Sequence, residues 1–149
     1  DRVLKMVGAV ALTRGDSVVA RREGTFGLVP AEVATSLSLV ITELCQNAME
    51  HGLAHAHRGL VRVLPRVHSG WLVVEVVDDG RGLPDQFSLE TSRSLGLSIV
   101  STLMSDLGGM FLLENNPLAT GSRAIISLPV GELSTEPDTA AEEVAQSKA

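Results

Sequence analysis

Leu72-Val73-Val74-Glu75-Val76-Val77 runs without a break into Asp78-Asp79-Gly80-Arg81-Gly82-Leu83. Six residues that are almost all β-branched or apolar describe a strand covered on one or both faces, because only a buried strand tolerates so little polar alternation. The run stops at two carboxylates and two glycines. A strand of this kind carries Asp78 to the edge of the core, and Gly80 and Gly82 allow a ligand to approach the backbone there. A bare Asp-Gly turn has the same appearance, and there is neither a Walker A pattern nor a third glycine for a dinucleotide fingerprint.

Working outward, Gly59 to Val67 reads as a partner strand joined to Trp71–Val77 by a His68-Ser69-Gly70 turn. Upstream, Pro30 opens a long helical pattern to about His51, with Val33, Leu37, Val40, Ile41, Leu44 and Ala48 at three- and four-residue steps. Ser17 to Glu23 reads as a strand and Val3 to Leu12 as an amphipathic helix. Downstream, a polar loop from Asp85 to Ser94 leads into a helix from about Leu95 to Leu107, ended by Gly108-Gly109. Two strands, Met110–Glu114 and Ser122–Leu128, complete the pattern. This order lacks repeated strand-helix-strand units. It predicts an α+β fold, a two-layer α/β sandwich with helices on one face of a mixed, mainly antiparallel sheet.

At 149 residues and 44% hydrophobic content, the chain can bury one core. A formal charge of -6 argues against a nucleic-acid partner, since phosphate backbones are held by clustered Lys and Arg. Arg21, Arg22, Arg62 and Arg66 are scattered and read as a solvated face. The single Cys45 sits inside the long apolar helix pattern as a small hydrophobe, consistent with a reducing compartment. No run approaches the roughly 18 apolar residues that span a bilayer, so no membrane contact is expected from this chain. The chain begins at Asp1 without Met, as a fragment would.

Three groups of residues carry chemistry. Glu43, Asn47 and His51 fall four apart and line one side of the long helix, drifting toward its apolar stripe. Polar groups so placed meet a ligand, a metal or one another, because burying them unpaired costs a few kcal/mol. Asp78 with its glycine turn forms the second group. In the third, Ser94-Leu95-Gly96-Leu97 opens the last helix, whose free N–H groups and positive dipole end suit phosphate; an ordinary helix cap has the same sequence.

In combination these segments resemble the GHKL superfamily of ATP-binding domains, and within it the catalytic domain of sensor histidine kinases. Glu43-Leu-Cys-Gln-Asn47-Ala-Met-Glu-His51-Gly52 is similar to the N box, Asp78-Asp-Gly-Arg-Gly82 to the G1 box and Ser94-Leu-Gly-Leu-Ser-Ile-Val100 to the G2 box. Gly121-Ser122 followed by Ile125-Ile-Ser-Leu-Pro129 is similar to the closing strand. The resemblance implies ATP and Mg²⁺ as ligands, with Asn47 the magnesium ligand through its oxygen. It gives Asp78 the adenine amino group with Ser122 beside it. Gly80, Gly82 and Leu83 become the pocket floor, and Ser94, Leu95, Gly96 and Leu97 the triphosphate end, under a short lid from Asp85 to Ser94. Arg93 reaches either the terminal phosphate or only solvent, and Glu43 acts either as a base or as the group that orients Asn47 or a metal-bound water.

Two departures stand out. Glu50 occupies the place where many of these kinases carry Lys or Arg, so either His51 takes up the phosphate contact or Glu50 faces away; and the Phe-containing box of the larger subfamilies is absent, with only Phe87 in the short lid. A short lid of this kind looks like the HWE-related cytosolic or light-sensing kinases, and the Thr25-Phe-Gly-Leu-Val-Pro30-Ala-Glu-Val-Ala-Thr35 run looks like an actinobacterial kinase of this kind. The implied organisation is an N-terminal helix over 1–15 leading from a dimerisation region, an ATP-binding catalytic domain over 16–130 and a disordered acidic tail over 131–149. None of the four histidines, His51, His55, His57 and His68, suits a phosphoacceptor, which places that histidine on an upstream dimerisation domain of the same protein. The implied partners are that domain and a response regulator, in a cytoplasmic homodimer. Two other readings compete: an anti-sigma-factor serine kinase of the same superfamily, whose N box can also read Asn-Ala-x-Glu-His, and a degenerate domain that binds a partner and no nucleotide.

Overall fold

A computed structural model describes residues 17–52, 58–85, 87–88 and 94–131 of the chain. The helix expected over Val3–Leu12, and all but Gly131 of the expected tail, lie outside the described residues. Five strands and two helices form the body: β1 (Ser17–Arg22), α1 (Ala31–Asn47), β2 (Arg58–His68), β3 (Trp71–Asp78), α2 (Leu95–Asp106), β4 (Met110–Asn115) and β5 (Ser122–Pro129). The strands make one sheet in the order β1-β2-β3-β5-β4. Only β1 and β2 run parallel; the other three pairings are antiparallel. The sheet is therefore mixed and mainly antiparallel, with both helices on one face, as the sequence predicts.

The strand that opens the reading, β3, lies in the middle of this sheet between β2 and β5. Its inward residues Leu72, Val74, Val76 and Asp78 are all buried. They meet Val61 and Val63 of β2 and Ala124, Ile126 and Leu128 of β5, beneath Leu37, Ile41 and Leu44 of α1 and Val100 and Met104 of α2. Burying each such aliphatic side chain contributes about 1.5–3 kcal/mol relative to exposure, and this shared face holds the two layers together. On the opposite, open face, Arg123 donates to Glu114 and lies 3.3 Å from Glu75, while Arg62 lies 3.5 Å from Glu23. Arg21 also pairs with Glu23, at 2.6 Å. Alternation between an apolar inner face and a charged outer one fixes the register, because a one-residue slip would bury these charges.

Two local details differ from the sequence reading. His68 is the last residue of β2, paired with Trp71, so the turn is only Ser69 (φ 50) and Gly70 (φ 78), the positive-φ pair that matches strand twist in a two-residue hairpin. The long helix is α-helical only to Asn47 and continues as a π-helical turn over Ala48–Gly52. Its start is as expected: the Pro30 carbonyl accepts from Val33 and Ala34 as the first helical turn forms. Among the described residues, no helix is long and apolar enough to cross a membrane.

Candidate functional site

Strand β3 ends in the buried Asp78, and the carboxylate is engaged on both oxygens. Oδ1 accepts from the Gly80 amide at 2.9 Å and from the Ser122 amide at 3.3 Å, and Oδ2 accepts from the Ser122 hydroxyl. Ser122 is itself buried, at the first position of β5. The turn that follows is tied down on both sides. Asp79 Oδ1 accepts from the Leu60 amide of β2 at 3.0 Å, and Asn115 Oδ1, at the end of β4, accepts from the Leu83 amide at 2.8 Å.

Helix α2 begins beside this turn. Ser94 caps it, its hydroxyl accepting from the Leu97 amide at 3.4 Å, and the first turn leaves amide N–H groups without intrahelical partners. Gly96 in that turn packs against α1: a Cβ placed there would stand 2.8 Å from Glu43 Oε2. A carboxylate at a helix N-terminus is favoured by the dipole. The missing side chain at 96 is what lets the two helices approach at this end.

Between the glycine turn, the start of α2 and the end of α1 is a recess of about 170 Å³. Asn47 and Ser94 contribute polar groups, Leu83, Pro84, Phe87, Leu97 and Leu113 an apolar lining, and Arg81, Gly82 and Ser122 the remaining wall. Asn47, Gly82, Leu83, Ser94, Leu97 and Ser122, all singled out in the sequence, thus share one cavity, with Asp78 bonded to its wall through Ser122 and Gly80 bonded to Asp78. Glu43 and Gly96 meet each other at its helical edge. Leu95 is 75% exposed and does not line the recess. His51 lies in the π-helical turn, and Arg93 is outside the described residues. A larger open groove, about 690 Å³, lies between residues 25–29 and the first half of α1, away from all of these groups.

Sequence reasoning passed over Asn115, Arg81, Pro84 and Leu113. Asn115 sits in an Asn-Asn-Pro run that reads as a turn signal, and nothing local to it points to Leu83, 32 positions earlier. Among the described residues, no three His, Cys, Asp or Glu side chains converge as a metal cage. Among the side chains that line the recess, Asn47 offers the one amide oxygen, a donor that fits Mg²⁺ only where phosphate oxygens and water complete the shell.

Residues 32–132 match the family described as histidine kinase-, DNA gyrase B-, and HSP90-like ATPase. Over 136 residues the chain is 40% identical to the sensor histidine kinase PdtaS of Mycolicibacterium smegmatis, a match covering 90% of this chain and 27% of that protein. It is 41% identical over 133 residues to PdtaS of Mycobacterium tuberculosis, covering 88% and 26% respectively. The chain therefore spans about a quarter of the length of the curated relatives it matches. Among solved structures, the histidine kinase domain of the Erythrobacter litoralis EL346 blue-light activated histidine kinase superposes with a TM-score of 0.77 at 27% identity, covering 89% of this chain and 61% of that one.

Proposed function

The chain belongs to the family of histidine kinase-, DNA gyrase B- and HSP90-like ATPases, and from that premise we propose that it is the ATP-binding catalytic domain of a sensor histidine kinase. It binds ATP with Mg²⁺ and transfers the γ-phosphoryl group to a histidine on a dimerisation domain outside these residues, for relay to a response regulator. The protein works in the cytoplasm as a homodimer. The observation that carries this reading is the single recess shared by Asn47, Gly82, Leu83, Ser94, Leu97 and Ser122, which come from four separate parts of the chain.

Each wall has a chemical task. Asp78 already accepts three hydrogen bonds, two on Oδ1 and one on Oδ2, and a carboxylate has about four lone-pair sites, so one acceptor position remains for an exocyclic amino group of a base. Leu83, Pro84, Phe87 and Leu113 supply apolar contact for a flat ring. Phosphates then extend toward Ser94 and the α2 N-terminus, where backbone N–H groups and the helix dipole neutralise charge. Asn47 holds the metal ion, which when bound spreads the charge that develops on the transferring phosphoryl group. Glu43, at the helical edge, either takes the proton of the nucleophile or orients Asn47. A volume of 170 Å³ is below the roughly 300 Å³ of small-molecule sites, so the recess widens when nucleotide enters.

The test is calorimetric titration of the chain with a non-hydrolysable ATP analogue, with and without Mg²⁺, beside Asp78→Asn. The expected result is magnesium-dependent binding, weakened by roughly 100-fold or more in Asp78→Asn because an amide N–H₂ then faces the base amino group. A folded wild-type chain that binds no nucleotide overturns the reading. Supplying a histidine-bearing dimerisation fragment should yield acid-labile phosphate on that fragment. Acid-stable phosphoserine on a partner protein would shift the assignment to the serine-kinase branch.

A further inference from the structure

Asn115 and Ser122 face each other as the rung at which the β4–β5 hairpin opens. Both side chains of this rung reach the glycine turn after β3. Ser122 donates to Asp78, where the turn begins, and Asn115 Oδ1 accepts from the Leu83 amide at 2.8 Å, where it ends. Gly82 is shaped around the second contact: a Cβ built there would stand 2.7 Å from Asn115 Oδ1. The hairpin loop is closed behind the rung by the Asn116 amide donating to the Gly121 carbonyl at 2.9 Å, so the rung is a fixed platform.

We propose that Asn115 is a positioning residue for nucleotide binding, holding the Gly82–Leu83 backbone where Leu83 meets the base. It touches no nucleotide itself and acts through Leu83. Asn115 is exposed, so its hydrogen bond contributes little to global stability; its effect is on the position of one binding-site segment. The proposal rests on the nucleotide-site reading above and assigns a residue to the base end of that site.

The test compares wild type, Asn115→Ala and Asn115→Asp. Alanine removes the acceptor, whereas aspartate keeps an oxygen at the same place. Asn115→Ala should weaken ADP and the ATP analogue by the same factor, roughly five- to twentyfold, since the loss lies at the base end and not at the phosphates. Its thermal midpoint should stay within about 3 °C of wild type, and Asn115→Asp should bind within about threefold of wild type. Without nucleotide, hydrogen exchange of the Leu83 amide should accelerate in Asn115→Ala and not in Asn115→Asp. Wild-type binding with Asn115→Ala unchanged overturns the proposal, as does a drop of more than about 10 °C in the alanine variant, which would make the role structural. If folded wild type binds no nucleotide, the functional reading fails, and Leu83 exchange still decides whether Asn115 fixes the turn.

Discussion

Glu43 and Gly96 touch where the two helices meet at the edge of the recess: Glu43 Oε2 lies 2.8 Å from the position a Cβ would take on Gly96, with Ser94 Oγ 3.9 Å from the same point. The N-box carboxylate and the amides that open α2 therefore share one small space. On the proposed reading, a phosphate reaching those amides would pass beside the Glu43 carboxylate, whose repulsion a metal ion and the helix dipole would offset.

Gly96→Ala separates stability from function at this contact. The backbone of Gly96 is ordinary helix, where Ala is favoured over Gly by up to about 1 kcal/mol. The obstacle is the tip of a flexible side chain, which can swing away at small cost. Urea denaturation should show Gly96→Ala as stable as wild type or slightly more so. Titration should show affinity for the ATP analogue reduced by roughly tenfold, about 1.4 kcal/mol, because the methyl group and the displaced carboxylate both occupy the approach to the α2 amides. Equal affinity in the two proteins would mean that phosphate does not come to this end of the helix.

The elements legible in the sequence were those whose signal is local and periodic. β3 is an unbroken apolar run, α1 shows its stripe at three- and four-residue steps, and Pro30 marks where α1 begins. What escaped depends on relations across the chain. The parallel pairing of β1 with β2 leaves no mark in either strand, and the π-helical turn after Asn47 follows no propensity that distinguishes Ala48–Gly52 from ordinary helix. The side chain of Leu95, which the motif puts at the triphosphate end, faces solvent, because the inward stripe of α2 is Leu97, Val100 and Met104. Asn115 was invisible for the same reason as the β1–β2 pairing: only the hairpin register brings it to Leu83.

Cys45 makes a prediction about pH. Its side chain is fully buried in α1, and burial pushes the thiol from 9.0 up to about 12. Between those values the unfolded chain has lost this proton and the folded chain has kept it. Stability from this group is therefore complete below about pH 9 and declines as pH rises toward 12, at up to about 1.4 kcal/mol per unit. Chemical denaturation in steps from pH 8 to pH 11 should show a shallower decline for Cys45→Ala than for wild type, even though the variant starts lower because of its small cavity. Parallel slopes would show that the thiol is not held neutral. At pH 8, a thiol reagent should label native wild type no faster than the chain unfolds.

Gly121→Ala should behave as the opposite of Gly96→Ala. A Cβ on Gly121 would fall 1.9 Å from the Asp78 carbonyl oxygen and 2.8 Å from its carbonyl carbon, at a φ of +106 that side-chain-bearing residues rarely adopt. Here the obstacle is backbone at the end of the central strand, and it can yield only by parting β3 from β5. The cost should be about 3 kcal/mol or more, read as a lowered urea midpoint with an unchanged slope. Any fraction that folds should also bind nucleotide poorly, because the same displacement pulls Ser122 away from the Asp78 carboxylate. Near-wild-type stability in Gly121→Ala would require the hairpin to close by another route, and the tight approach of residue 121 to Asp78 would then not be what seats Ser122 on that carboxylate.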